Sequence, residues 1–260
     1  MSASSLKERP IGPDDFVDDS NKRWAWGLAP LAVAILSQIV VALLRYRPWE
    51  YEYQVEPYWY SVFYRFNLVL YLVLALLALW ACRAYRGSGT AGAKSPITTV
   101  VVSLALIVTV VVISDAPDII YLLRQGESLN WTFIGYDFGD TLARTMPQLI
   151  YVVFREASLR GVVIGSLLRN SSTPRSAILT ATGFEFLAAL PFIVVFLFNS
   201  LINRGYGSPV STAIEVAVAL VMPIVIGLGF GALRIASGRL WPCVLVGVLT
   251  FLASTFVYPI

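Results

Sequence analysis

Long apolar runs constrain this chain more than any other feature, because they leave too little polar surface for a water-soluble fold. Charged residues make up 13% of the 260 residues and hydrophobic residues 57%, whereas a soluble domain carries roughly 25% charged residues. A helix that crosses the bilayer core needs about 20 mostly apolar residues. Seven runs approach that length: Trp24–Leu44, Val62–Ala81, Ile97–Ile113, Leu142–Leu168, Ala177–Asn199, Thr212–Leu233 and Leu240–Tyr258. We therefore expect an all-α, polytopic transmembrane helix bundle with about seven spans.

The runs divide the chain into four parts. Residues 1–23 are polar and acidic, which predicts a disordered cytoplasmic tail that is too long and too acidic for the start of a signal peptide. Residues 24–114 hold three N-terminal transmembrane helices. Residues 115–141 form an outer connection, part of it a helix lying on the surface. Residues 142–260 hold the remaining four helices.

Basic residues between the runs set the expected orientation. With the N-terminus inside, eleven Lys and Arg residues fall in inner segments and five in outer ones. Loops on the cytoplasmic side are enriched in Lys and Arg. The sequence therefore predicts a multi-pass protein of the cell membrane with a cytoplasmic N-terminus and an external C-terminus.

The composition also excludes several kinds of catalytic and metal-binding chemistry. The chain has no histidine, which removes the commonest general base and metal ligand. Its two cysteines, Cys82 and Cys243, lie near predicted helix ends and are interpreted as packing residues, since two such positions form neither a disulfide framework nor a zinc motif. No basic patch with interleaved aromatic residues points to nucleic acid. We expect no cofactor, no metal site and no nucleic-acid partner; the lipid bilayer is the expected surrounding.

Charged side chains inside apolar runs are costly and are usually paired or functional. The fourth run contains Arg155, Glu156 and Arg160, and the fifth contains Glu185. Glu156 and Arg160 are four residues apart, so they share one helix face and are expected to neutralise each other. Arg155 points about 100° away from Glu156 and needs another partner, for which Glu185 is the candidate.

Two segments resemble the CAAX-protease and bacteriocin-processing (CPBP, or Abi) family of intramembrane metalloproteases. The stretch from Arg155 to Arg169, REASLRGVVIGSLLR, is similar to the family's first motif, in which two Glu residues precede an Arg. The stretch from Gly227 to Pro242, GLGFGALRIASGRLWP, is similar to its glycine-rich helix and the turn that follows. The resemblance covers about residues 142–257 and implies a CPBP-like four-helix core.

The chain departs from the family pattern at the catalytic positions. The family's motif Glu and Arg are retained as Glu156 and Arg160. Its first Glu is replaced by Arg155, which cannot act as a base. By the resemblance, the two histidine positions fall at Ala188 (or Ala189) and Gly247, and the Asn position falls at Phe251.

Three interpretations of the function follow from this pattern. The first is a catalytically inactive relative that binds a membrane peptide, a lipid or a partner membrane protein in a scaffolding or immunity-like role. The alternative is an active intramembrane endopeptidase with a rearranged site, and the second alternative is a transporter or channel component. We expect the first, with Arg155, Glu156, Arg160 and Glu185 as binding residues. The resemblance places Arg155 opposite Ala188, which predicts an Arg155–Glu185 ion pair whose charge-swapped double variant recovers part of the stability lost in each single variant.

Overall fold

The structure is a computed structural model that describes residues 58–85, 96–126, 128–133, 138–169, 173–202 and 209–259, with four isolated positions between 29 and 36. The predicted tail (1–23) lies outside the described residues. So does the first predicted span, Trp24–Leu44, except for those four positions.

The described chain is almost wholly helical, so the all-α class is confirmed. Its elements, in order, are α1 (Tyr58–Ala81), a 3₁₀ turn (Cys82–Tyr85), α2 (Pro96–Ser114), α3 (Ala116–Gln125), β1 (Trp131–Phe133), α4 (Phe138–Glu156), a π-helical segment (Ala157–Val163), α5 (Ile164–Arg169), α6 (Pro174–Ile202), α7 (Pro209–Ser237), α8 (Trp241–Phe256) and β2 (Val257–Pro259). Each of the second to seventh predicted spans coincides with helix, and its ends agree within four residues.

The connection at 115–141 contains a helix, as the sequence predicts, and a short strand that it does not predict. Helix α3 begins directly after Asp115 and ends at Gly126, whose φ of 74° allows its backbone N–H to bond the carbonyls of Leu122 and Leu123. Helix α4 already begins at Phe138, so the boundary placed at 142 is four residues too late. Strands β1 and β2 pair antiparallel, with Trp131 opposite Pro259. Strands of three residues are too short to show a period, so no sequence pattern predicts this ribbon.

Two helices in the described part of the chain are long and apolar enough to cross a bilayer: Pro96–Ser114 and Ala213–Ser237. Arg65–Ala81 and Trp241–Phe256 are apolar but shorter. Many large apolar side chains on these helices are exposed, among them Val101, Leu104, Val108, Val221 and Leu245. Soluble monomers rarely leave wide apolar faces uncovered, so this exposure is in keeping with a lipid environment.

Helices α6 and α7 pack closely because glycines of α7 admit neighbouring side chains. A Cβ at Gly227 would lie 2.8 Å from the Cα of Thr182, and one at Gly231 would lie 2.9 Å from Ile178 Cγ2. Small residues at this spacing let backbones approach in membrane proteins. This close contact brings Glu185 of α6 towards the core of the molecule.

Candidate functional site

The long helix that carries the first motif changes its winding at that motif. Helix α4 passes into the π-helical segment Ala157–Val163, and every residue of that segment is buried. Short π-helical stretches are rare and occur frequently at functional sites. The segment places Arg160 at the centre of the bundle, where its side chain is fully buried.

Four charged side chains form a closed ring, which we call the ion ring: Arg155, Glu156, Arg160 and Glu185. Arg155 Nη2 lies 3.1 Å from Glu156 Oε1, and Arg160 Nε lies 3.3 Å from Glu156 Oε2. Arg160 Nη1 lies 2.5 Å from Glu185 Oε2, and Glu185 Oε1 lies 3.4 Å from Arg155 Nε. Positive and negative groups alternate around the ring, so its net formal charge is zero.

Both ion pairs expected from the sequence are therefore present, but each arginine also contacts the second carboxylate. Arg155 turns back to its own neighbour and donates from Nε and Nη2 to Glu156 Oε1. Arg155 therefore has a partner on its own helix as well as the expected partner on another helix. The Cβ atoms of Arg155 and Glu156 point about 100° apart, but the arginine side chain is long enough to reach the neighbouring carboxylate.

Arg160 is held by further contacts from α7. Its Nη2 donates to the backbone carbonyl of Ile226 at 3.1 Å, and its guanidinium carbon lies 5.7 Å from the centroid of the Phe230 ring. Buried charge is tolerated where it is paired and hydrogen-bonded. The ring is thus fixed between α4, the π-helical segment, α6 and α7.

Two side chains from other elements bond carbonyls of the π-helical segment. Cys82 Sγ lies 3.0 Å from the Ala157 oxygen, and Arg234 Nε donates to the Arg160 oxygen at 3.2 Å. In the orientation argument, Arg234 counts only as an inner basic residue. The structure buries it at 4% exposure, and its place in the stretch from Gly227 to Pro242 is the only sequence signal of this role.

The turn between α7 and α8 explains the residues at the end of the stretch from Gly227 to Pro242. Gly238 adopts a φ of 64°, which a glycine reaches without the strain that a Cβ brings. Ser237 Oγ donates to the Arg239 carbonyl at 2.9 Å, and a proline follows in the first turn of α8. This turn sets the direction of α8 and so places Gly247 next to Glu156 of the ion ring.

A partly open groove of about 380 Å³ lies beside the ion ring, between α4, α6 and α7. Arg155 and Glu185 form its polar end, and the other lining residues are apolar or aromatic: Tyr151, Ala188, Ala189, Ile193, Ala219, Met222, Pro223 and Ile226. Pockets of this volume, mostly apolar with a few polar groups, are typical of ligand-binding sites.

Three of the four replaced positions lie at this centre, and one of them, Arg155, belongs to the ion ring itself. Ala188 lines the groove with Arg155 and Glu185. A Cβ on Gly247 would lie 3.4 Å from Glu156 Cγ and 3.0 Å from Val152 Cγ1. Phe251 is one turn further along α8 and half-buried; the groove lining does not include it.

Metal-ligating groups do not gather here: within the described ranges, no cluster of three or more His, Cys, Asp or Glu side chains could hold an ion. Comparison with family models, with curated proteins and with solved structures gave no significant match. The ion ring and the groove are therefore the features of the molecule from which a function is inferred.

Proposed function

We propose that this protein is a multi-pass membrane protein, with its N-terminus in the cytoplasm, that binds a membrane-derived ligand without chemically changing it. Its core is a catalytically inactive CPBP-like helix bundle, and the groove beside the ion ring is the binding site. The ligand is a membrane peptide, a lipid or a segment of a partner membrane protein.

The single observation that carries this proposal is the closed ion ring. Glu156, the retained motif carboxylate, is fully buried and contacts both Arg155 and Arg160. A general base must be within reach of the proton that it removes, and Glu156 is fully buried between two guanidinium groups and does not line the groove. The ring therefore supports a structural role for a residue that the family resemblance associates with catalysis.

The rim of the groove supports a ligand that comes from the bilayer. Large apolar side chains flank it on both sides and are exposed: Leu187 and Val194 on α6, and Leu220, Val221 and Ile224 on α7. A groove with such a rim is accessible from the hydrocarbon phase. A water-soluble ligand would meet an apolar entrance.

The first test is for peptidase activity. Purified protein in detergent is incubated with prenylated and unmodified peptides, with and without a chelator. We expect no turnover under either condition. Turnover that disappears in Glu156→Gln would contradict the proposal, because it would show that Glu156 acts as a base despite its partners.

The second test is for a retained ligand. Native mass spectrometry of the protein released from detergent should show an adduct on the wild-type chain. Ala219→Leu, which fills the groove, should lose this adduct, whereas Ala217→Leu should keep it because Ala217 is exposed and lies outside the groove lining. An adduct equally abundant in both variants, or absent from all three proteins, would reject the groove as the binding site.

A further inference from the structure

The polar end of the groove has a spare hydrogen-bond donor but no net charge. Arg155 uses Nε and Nη2 to contact Glu156, and Nε also faces Glu185. Its Nη1 makes no hydrogen bond to any residue that the structure describes. Arg155 lines the groove, and its side chain is 16% exposed. A guanidinium has five N–H donors, so donors remain for a ligand at this end.

The ion ring decides which kind of acceptor fits these donors. An anion that reached Arg155 would also approach Glu156 and Glu185, which lie within 3.4 Å of the guanidinium. A cation would approach Arg155 and Arg160. Since the attraction and repulsion of unit charges at such distances nearly cancel around a neutral ring, a charged group would lose its hydration without a compensating gain. An uncharged oxygen acceptor avoids this loss and still receives the hydrogen bond.

The rest of the groove favours a ligand whose remaining part is apolar. Past Arg155 and Tyr151, the walls consist of side chains such as Ala188, Ile193, Ala219 and Met222, which offer no hydrogen-bonding groups beyond their backbone. A peptide segment that entered here would bury several backbone N–H and C=O groups against these walls, at a cost for each one left without a partner. A hydrocarbon chain carries no such cost.

We infer that the groove binds an uncharged lipid with a carbonyl oxygen at one end of an apolar chain, and that Arg155 donates a hydrogen bond to that oxygen. This inference rests on the proposed function and names its ligand. The neutral ring excludes fatty-acid anions and amines, and the single polar end selects an ester or ketone over a plain hydrocarbon.

The test compares four probes of matched chain length: methyl palmitate, palmitate, hexadecylamine and hexadecane. Each is added in excess to purified protein in detergent, and the melting temperature is measured. A ligand that binds only the folded state raises this temperature. We expect methyl palmitate to raise it by about 2 °C or more, which corresponds to roughly 1 kcal/mol in a protein of this size. The other three probes should give less than half of that shift.

Two variants show whether the shift in melting temperature comes from binding in the groove or from a change that the probe makes to the detergent. Ala217→Leu should keep the shift produced by methyl palmitate, and Ala219→Leu should lose it. In addition, the infrared carbonyl stretch of ¹³C-labelled methyl palmitate should move to lower frequency on binding to the wild-type protein and not in the presence of Ala219→Leu.

Each contrary result has a distinct meaning. A larger shift with palmitate or hexadecylamine would overturn the argument from the neutral ring, and an equal shift with hexadecane would overturn the hydrogen bond to Arg155. If no probe shifts the melting temperature while the adduct seen by mass spectrometry is a peptide, the lipid inference fails and the proposed function stands. Peptide turnover would remove the proposed function itself.

Discussion

At the scale of single residues, the ion ring changes what a substitution should do, because each of its four members contacts two others. Arg155 and Glu185 are neighbours in the ring, and so are Glu156 and Arg160. Removal of one member leaves each of its two oppositely charged neighbours with half of its partners and gives the ring a net charge. Removal of two neighbours of opposite sign leaves the other pair intact and the ring neutral.

We predict that Arg155→Met and Glu185→Met are each destabilising by roughly 3–5 kcal/mol, the usual result when one partner of a buried ion pair is removed. The double variant should cost less than the sum of the two by about 0.5–3 kcal/mol. Chemical unfolding in detergent measures all three, with Arg175→Met as a control because Arg175 is exposed. Strictly additive losses would show that the residues are not coupled.

The ring also limits the stability that the charge-swapped variant, Arg155→Glu with Glu185→Arg, can recover. If only two residues were paired, the swap would restore the attraction and recover stability. In the ring, the swap places the introduced carboxylate beside Glu156 and the introduced guanidinium beside Arg160, so two like-charged contacts replace two attractive ones. Each single variant, Arg155→Glu or Glu185→Arg, also creates two like-charged contacts and leaves the ring with a net charge of two. We therefore expect the swapped protein to recover part of the stability lost in the worse single variant but to stay below the wild type in the same unfolding measurement; full recovery would show that the pair acts alone, and no recovery would show that the two residues are not coupled.

Gly161 offers a second residue-scale test. A Cβ at this position would overlap the sulfur of Cys82, whereas Gly183 has open space around it. We predict that Gly161→Ala is destabilising by about 1–3 kcal/mol, as overpacking usually is, and that adding Cys82→Ala recovers part of the loss. Gly183→Ala, the matched control, should be neutral or stabilising by up to about 1 kcal/mol. Similar thermal stabilities of the two alanine variants would contradict the close contact.

Asp115, at the end of α2, gives a prediction for pH. Its side chain is buried, and burial, followed by repulsion from Asp118, raises its pKa from 3.8 to about 6. The folded state therefore holds this proton at pH values where the unfolded state has released it, so stability should fall as pH rises from about 4 to 6. Asp115→Asn should reduce the dependence of stability on pH across this range, measured by thermal unfolding. If the variant keeps the same pH dependence, another group is responsible for it.

At the scale of elements, the π-helical segment depends on donors that come from elsewhere in the chain. Arg234 Nε donates to the Arg160 carbonyl from 74 residues away. We predict that Arg234→Met destabilises the protein by about 1–3 kcal/mol, the cost of a lost buried hydrogen bond. It should also speed amide exchange within 157–163. Arg239→Met is the control, since Arg239 is exposed. Unchanged exchange in Arg234→Met would show that the segment keeps its winding without this donor.

Sequence reasoning recovered the helices because their signal is local. The predicted run Ile97–Ile113 and the helix Pro96–Ser114 differ by one residue at each end, and the spacing of Glu156 and Arg160 was enough to expect their pairing. The ring, the π-helical winding and the β1–β2 ribbon depend on contacts between distant parts of the chain. Arg160 meets Glu185 across 25 positions, and no period or spacing within either helix specifies that contact.

At the scale of the whole molecule, the burial of Arg234 lowers the number of basic residues that indicate the orientation in the membrane. Without it, ten basic residues remain in inner segments against five in outer segments, so the predicted direction does not change. We predict a cytoplasmic N-terminus and an external C-terminus, tested with terminal fusions to a reporter that is active only outside the membrane. A signal from the N-terminal fusion would contradict the orientation, and both termini on one side would require an even number of spans.

The neutrality of the ion ring has a consequence for how the protein responds to voltage. A single charge that moves across a membrane potential of 100 mV gains or loses about 2.3 kcal/mol, which is how charged helices sense voltage. A ring of two cations and two anions that moves as one body carries no net charge through the field, so the work done on it is close to zero. In the proposed multi-pass arrangement, the ion ring therefore places four formal charges in the core without adding a net charge on which the membrane potential acts.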